Sequence, residues 1–170
     1  MKKRSLILIL FIGISMITYS QTEEQKAMAK LSFLIGDWKG TGTSYPLDNN
    51  EPYNVLSSVR YDLNGELLVL RHRSKRDGDT LLALHTIMYY NKKDGFYYYN
   101  AYRGSGARPF KCQLNNNEFI CEINGDYRLT FKRTENGEFN EFGQRLVDGE
   151  WVKNFEDILQ PTSEINISDH

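Results

Sequence analysis

The 170-residue chain lacks three things that would each have pointed to a function, and it is poor in a fourth. It has no basic excess: 21 Lys and Arg stand against 22 Asp and Glu, and the basic residues are scattered among acids. A phosphate-binding surface needs clustered positive charge, so no nucleic-acid partner is expected. No apolar run reaches the ~20 residues of a membrane-spanning helix. Cysteine occurs only at positions 112 and 121, with no Cys-x-x-Cys spacing, which removes dithiol redox catalysis. Proline is rare, with 4 residues, while 11 Tyr and 9 Phe recur in alternating segments, a composition that favours sheet.

The first twenty residues have a separate logic. Lys2, Lys3 and Arg4 precede an apolar run from Leu6 to Ile17, and Thr18 and Ser20 place small side chains before Gln21. That pattern predicts a secretory signal peptide over 1–20, cleaved near Ser20-Gln21. No cysteine follows the run, so a lipid anchor there is not expected. Export would deliver the chain to the periplasm or the exterior. Cleavage removes three bases, leaving 18 against 22 acids and a net charge of -4. The remaining 150 residues suit one domain over 21–160, with a polar tail over 161–170.

One helix is predicted, then strands. Thr22-Glu23-Glu24-Gln25 has the form of a capping box, and Ala27, Leu31 and Leu34 follow on one helical face before Gly36. About ten strand-like runs follow, over 38–45, 54–62, 66–73, 80–90, 96–103, 108–114, 118–124, 126–133, 138–146 and 150–158. Asn64-Gly65, Asp77-Gly78, Asn136-Gly137 and Asp148-Gly149 read as two-residue hairpin turns, while 92–95 and 124–126 read as slightly longer loops.

Each turn sets which residues oppose each other, so an inner face can be carried from strand to strand. Tyr53, Val55, Val59 and Tyr61 begin it; Leu68, Leu70 and His72 continue it, followed by Ala83, His85, Ile87 and Tyr89. Tyr97, Tyr99 and Ala101 come next, then Phe110, Cys112 and Leu114, then Phe119, Cys121 and Ile123, then Tyr127, Leu129 and Phe131. Asn140, Phe142, Gln144 and Leu146 and finally Trp151, Lys153 and Phe155 complete it. A meander this wide with one continuous inner face closes on itself, which predicts an all-β, antiparallel up-and-down barrel with one short N-terminal helix. An open sheet would leave apolar edges exposed.

The run Leu34-x-Gly36-x-Trp38-x-Gly40-x-Gly42, directly after a helix and opening a meander, resembles the Gly-x-Trp opening of the lipocalin and fatty-acid-binding superfamily. With Asn64-Gly65 and the late Asp148-Gly149-Glu150-Trp151 hairpin, the chain is similar to exported bacterial lipocalin-like domains and, more distantly, to nitrobindin, a haem-binding barrel. The resemblance implies a calycin-like barrel in which Gly36 and Trp38 are structural and Trp38 packs across the closed end. Two departures stand out. Lipocalins cover this tryptophan with an arginine near the last strand, where this chain reads Asp157-Ile158-Leu159-Gln160. Nitrobindin holds haem through a late histidine, and here only His170 follows His85.

Cys112 and Cys121, as cross-strand neighbours in an exported protein, are expected to form a structural disulfide; the alternative is two buried thiols. His72, His85, Tyr89, Tyr97 and Tyr99 share the inner wall, with Gln144 and Lys153 as a second polar patch. These seven are the candidate ligand-binding residues. They read either as a hydrogen-bonded network or as a pocket that orients a small molecule. No metal is expected, because two imidazoles need a third or fourth ligand and this register sets no carboxylate beside them. No catalytic residue is singled out. The expected function is a carrier or sensor for a small apolar or amphipathic ligand, without a cofactor. The alternatives are a haem-binding barrel or haem-linked isomerase, and a filled barrel acting through its surface.

Overall fold

A computed structural model describes residues 20–45, 51–104 and 106–163. The expected signal peptide and the end of the tail therefore lie outside the described residues. One helix, α1 (Glu23–Ala29), and a 3-10 turn (Ser32–Leu34) lead into ten strands. These are β1 (Gly36–Ser44), β2 (Tyr53–Asp62), β3 (Leu67–Arg76), β4 (Asp79–Asn91), β5 (Phe96–Tyr102), β6 (Ala107–Asn115), β7 (Glu118–Asn124), β8 (Tyr127–Arg133), β9 (Phe139–Val147) and β10 (Glu150–Pro161). Each strand pairs antiparallel with the next, and β1 pairs with β10, closing the barrel. Closure leaves no free sheet edge. The barrel takes in the first residues of the expected tail: Pro161 pairs with Trp38, and Thr162 N donates to Asp37 O.

One end of the barrel is plugged. Thr22 and Gln25 form the capping box that starts α1, and Ala27, Met28, Leu31 and Leu34 are buried beneath it. Tyr97 Oη donates to Ala27 O at 3.0 Å, tying the helix to β5. Trp38 is 1% exposed, and its indole N–H donates to Leu34 O at 3.0 Å. Its ring lies 5.6 Å from that of Phe139. The guanidinium of Arg133, at the end of β8, stands 4.8 Å from the Trp38 ring. The tryptophan therefore has a cationic cover, supplied by a different strand from that of the lipocalin pattern. Gly36 makes the plug possible: its φ of 151° suits glycine, and a Cβ there would stand 2.8 Å from the indole.

The inner face matches the sequence reading through β2, β3 and β5 to β8, and departs from it in β4, β9 and part of β10. Arg76 pairs with Asp79 across the expected two-residue turn, but the register shifts between Ser74 and Lys75, so His72 opposes Leu84 rather than Ala83. One extra residue in a strand turns every later side chain over. Leu82, Leu84, Thr86, Met88 and Tyr90 consequently face inward, and His85, Ile87 and Tyr89 face outward. The error cancels at the next loop, where Asn91 pairs with Phe96 and returns Tyr97 and Tyr99 to the interior.

Asn136-Gly137 is not a two-residue turn. Of the two, only Gly137 has positive φ, and Thr134 N donates to Glu138 O, so the loop spans 134–138 and Arg133 opposes Phe139. Phe139, Glu141, Gly143 and Arg145 therefore share the inner face, opposite Arg133, Phe131, Leu129 and Tyr127. A bulge between Lys153 and Phe155 then reverses β10. Phe155 is inside, as read, while Trp151 and Lys153 are not.

Cys112 and Cys121 are directly paired and joined by a disulfide, with Cα atoms 4.0 Å apart. It staples β6 to β7 inside the core. Among the described residues, no helix is long and apolar enough to cross a membrane.

Candidate functional site

Opposite the plug, the barrel opens into a cavity of about 680 Å³. Leu81, Leu82, Val147, Val152 and Phe155 supply an apolar wall, and Leu81, Val147 and Val152 stay substantially exposed at the mouth. Tyr53, His72, Glu141 and Asp157 form the floor.

Four strands position that floor. Gly42 on β1 pairs with Tyr53 on β2 and with Asp157 on β10, and Asp157 pairs with Glu141 on β9. A Cβ at Gly42 would overlap both the Tyr53 ring and Asp157 Oδ1. The glycine thus leaves the space in which Tyr53 Oη donates to Asp157 Oδ1 at 2.8 Å, bridging two strands that do not themselves pair. Gly143 does similar service one pair higher, where Tyr127, Asn154 and Phe155 crowd the position its Cβ would take. On β3, His72 Nδ1 lies 3.1 Å from Ser57 Oγ and 4.0 Å from Glu141 Oε2.

His72 and Glu141 are each 6% exposed and Asp157 is 2% exposed, so two carboxyls and an imidazole converge out of water. Burial disfavours the charged form of each. It lowers His72 to about 4. It raises Asp157 to about 7 despite the opposing hydrogen bond from Tyr53, with Glu156 adding to the rise. Burial and the facing Asp157 together raise Glu141 well above the usual carboxylate range. Tyr53 and Tyr99 are pushed above the usual phenol range by burial first, then by the neighbouring acids. What acts on the two carboxyls is burial, their acidic neighbours and, on Asp157, the Tyr53 hydroxyl. Arg145 stands at the mouth, 5.0 Å from the Tyr127 ring.

The seven residues read from the sequence as a binding wall are dispersed. His72 lies in the floor and Tyr99 is buried in the interior, 5.5 Å from the Phe131 ring. Tyr97 is interior too, but serves the plug. His85 is exposed on the outer face, opposite Arg71 and Tyr102. Tyr89 stacks on Tyr98 outside, with centroids 5.3 Å apart. Gln144 lies on the outer face, accepting from Arg128 Nε at 2.9 Å. Lys153 reaches the mouth from outside, its ammonium 2.7 Å from Glu156 Oε1.

The expectation that no carboxylate stands beside His72 is overturned by Glu141 and Asp157. The misread loop had turned Glu141 outward, whereas Asp157 shares the face of Phe155, two residues before it, and lay just beyond the residues assigned to that face. The sequence did hold one signal: Thr134 lies three residues before Gly137, its hydroxyl accepts from Glu138 N, and such a pair marks a loop longer than two residues.

Comparison with known proteins adds the fold. The crystal structure of Rv2717c from M. tuberculosis superposes on this chain with a TM-score of 0.56 at 15% identity, covering 80% of this chain and 97% of that one. At this identity the likeness is one of fold alone. No protein-family model matches the sequence, and no curated protein matches it. The chain is a closed ten-stranded antiparallel barrel that shares its architecture with that mycobacterial protein.

Proposed function

We propose that this protein is an exported carrier or sensor that holds a small amphipathic molecule in the open end of its barrel. The observation that carries this reading is the polarity of one cavity: an apolar wall and mouth above a floor of Tyr53, His72, Glu141 and Asp157. Such a cavity takes an apolar body and orients one polar end. The floor is rich in oxygen acceptors, so a hydroxyl or amine suits it best. Apolar side chains left exposed at the mouth are accounted for if a ligand covers them. A buried disulfide agrees with export to an oxidising compartment.

A binding role is favoured over hydrolysis by the geometry at His72. Ser57, His72 and Glu141 have the composition of a nucleophile, base and acid, but serine and acid approach the same ring nitrogen. In a working relay the acid holds one nitrogen while the other faces the nucleophile. Ser57 is also fully buried. Haem receives less support, since the one described interior histidine, His72, is enclosed by Ser57 and two acids.

Native mass spectrometry and an absorption spectrum of gently purified protein test the reading, together with titration by medium-chain alcohols and amines. A co-purified small molecule, or saturable binding of the alcohols that Leu82→Trp abolishes by filling the wall, is the expected result. A Soret band would establish haem instead. A bare mass with no saturable binding would leave the filled barrel.

A further inference from the structure

We propose that His72, Glu141 and Asp157 form a binding site for a single divalent transition-metal cation of the zinc type. Their donor atoms all lie within 4.8 Å of one another, so small side-chain rotations bring all three to one ion. They come from β3, β9 and β10, and each backbone is held in the barrel, so the convergence is set by the fold rather than by a mobile loop.

A second observation separates this cluster from an ordinary group of acids. Glu141 is buried, and among the described residues its one ion-pair partner is His72, whose Nδ1 stands 4.0 Å away. Buried carboxyls ordinarily find donors or cations, because an unpaired one forfeits its hydration. Here the carboxyl is bordered by a second carboxyl and an imidazole. One group behind the cluster is placed as a metal site's supporting partner would be. Tyr53 Oη donates to Asp157 Oδ1 at 2.8 Å, behind the face that Asp157 turns to His72 and Glu141. Such partners orient ligands and tune their basicity.

The donor set selects the ion. One imidazole and two carboxylates suit Zn²⁺ and its neighbours, whereas Ca²⁺ requires six to eight oxygens and Mg²⁺ keeps most of its water. Three protein ligands beneath an open cavity leave further positions for water or another ligand. The site goes beyond the carrier reading and stands whether or not an organic molecule occupies the cavity.

Calorimetric titration of the EDTA-stripped, desalted protein with Zn²⁺ tests it, with thermal unfolding in parallel. One Zn²⁺ per chain, with a rise in Tm, is expected. His72→Ala and Glu141→Gln should each weaken binding by more than about 100-fold, the upper range for loss of a mere supporting residue, and Tyr53→Phe by about 10-fold. His85→Ala, on the outer face, should bind as the parent does, and Ca²⁺ should give no binding heat. Glu141→Gln is isosteric and removes a buried acid, so its fold, checked by circular dichroism, is retained. Absence of Zn²⁺ binding would overturn the proposal. So would binding that survives both His72→Ala and Glu141→Gln, or that is lost in His85→Ala.

Discussion

Glu141 and Asp157 stand directly opposite each other on β9 and β10, both inside the barrel and both buried. Two acids facing each other out of water share a cost that shapes the chemistry of the cavity floor, and several outcomes follow from it and from the structure around it.

Stability of the metal-free protein should fall as pH rises because of this pair. Asp157 titrates at about 7 in the fold against 3.8 ordinarily, so between those values the folded state holds more protons than the unfolded one. Its stabilising share is full below 3.8 and is lost as pH rises through about 7. Glu141 acts in the same direction from 4.5 upward. His72, lowered to about 4 from 6.5, acts oppositely and costs stability as pH falls from 6.5 through about 4. Asp157→Asn should therefore gain on the parent by up to about 4 kcal/mol near pH 8 and by much less near pH 5, given about 1.4 kcal/mol per pKa unit. Urea unfolding in EDTA at both pH values measures it. A constant difference would contradict the burial argument.

Gly42→Ala should damage the floor specifically. A methyl there overlaps Asp157 and Tyr53, so the hydrogen bond between them must break or the strands must part. Overpacking of this kind costs about 1–3 kcal/mol. Chemical denaturation should show that loss, and binding of alcohols or amines should weaken with it. Gly78→Ala, at a turn with open space around its missing Cβ, is the comparison for backbone strain alone, since its φ is 91°.

Reduction of the Cys112–Cys121 disulfide should destabilise the barrel without unfolding it. The bridge closes a short loop, with a sequence separation of 9, and the chain-entropy relation gives about 2.5 kcal/mol for such a loop. Paired Cys112→Ala and Cys121→Ala substitutions should lower Tm by about 5–10 °C for a domain of this size. Non-reducing peptide mapping should recover the crosslink itself.

His85→Phe should leave the affinity for alcohols and amines within about twofold of the parent, because substitutions remote from a site rarely alter it. His85 lies outside the barrel wall, whereas Leu82 lines the cavity. If His85→Phe abolished binding while Leu82→Trp did not, the ligand would sit on the outer face.

What the amino-acid sequence determined by itself was the closed meander, its short capped helix and the cross-strand cysteines, while the place of Trp38 at the closed end came from a resemblance. These rest on local chemistry: a capping box, Asn-Gly and Asp-Gly turns, and alternation strong enough to survive small errors in register. The tertiary structure alone decided which polar residues face inward. A bulge beside Ser74 turned His85 and Tyr89 out, while a five-residue loop after Arg133 turned Glu141 in and Lys153 out, and a bulge beside Lys153 brought Phe155 and Asp157 back to the interior. A strand repeats every two residues, so one inserted residue reverses every side chain beyond it, and nothing in a strand's own composition announces a bulge. In β9 the misleading cue was Phe142, an aromatic that packs on the outer wall beneath Lys132 and Lys153. The candidate site arises where those reversals meet, which is why the barrel was legible in the sequence and its floor was not.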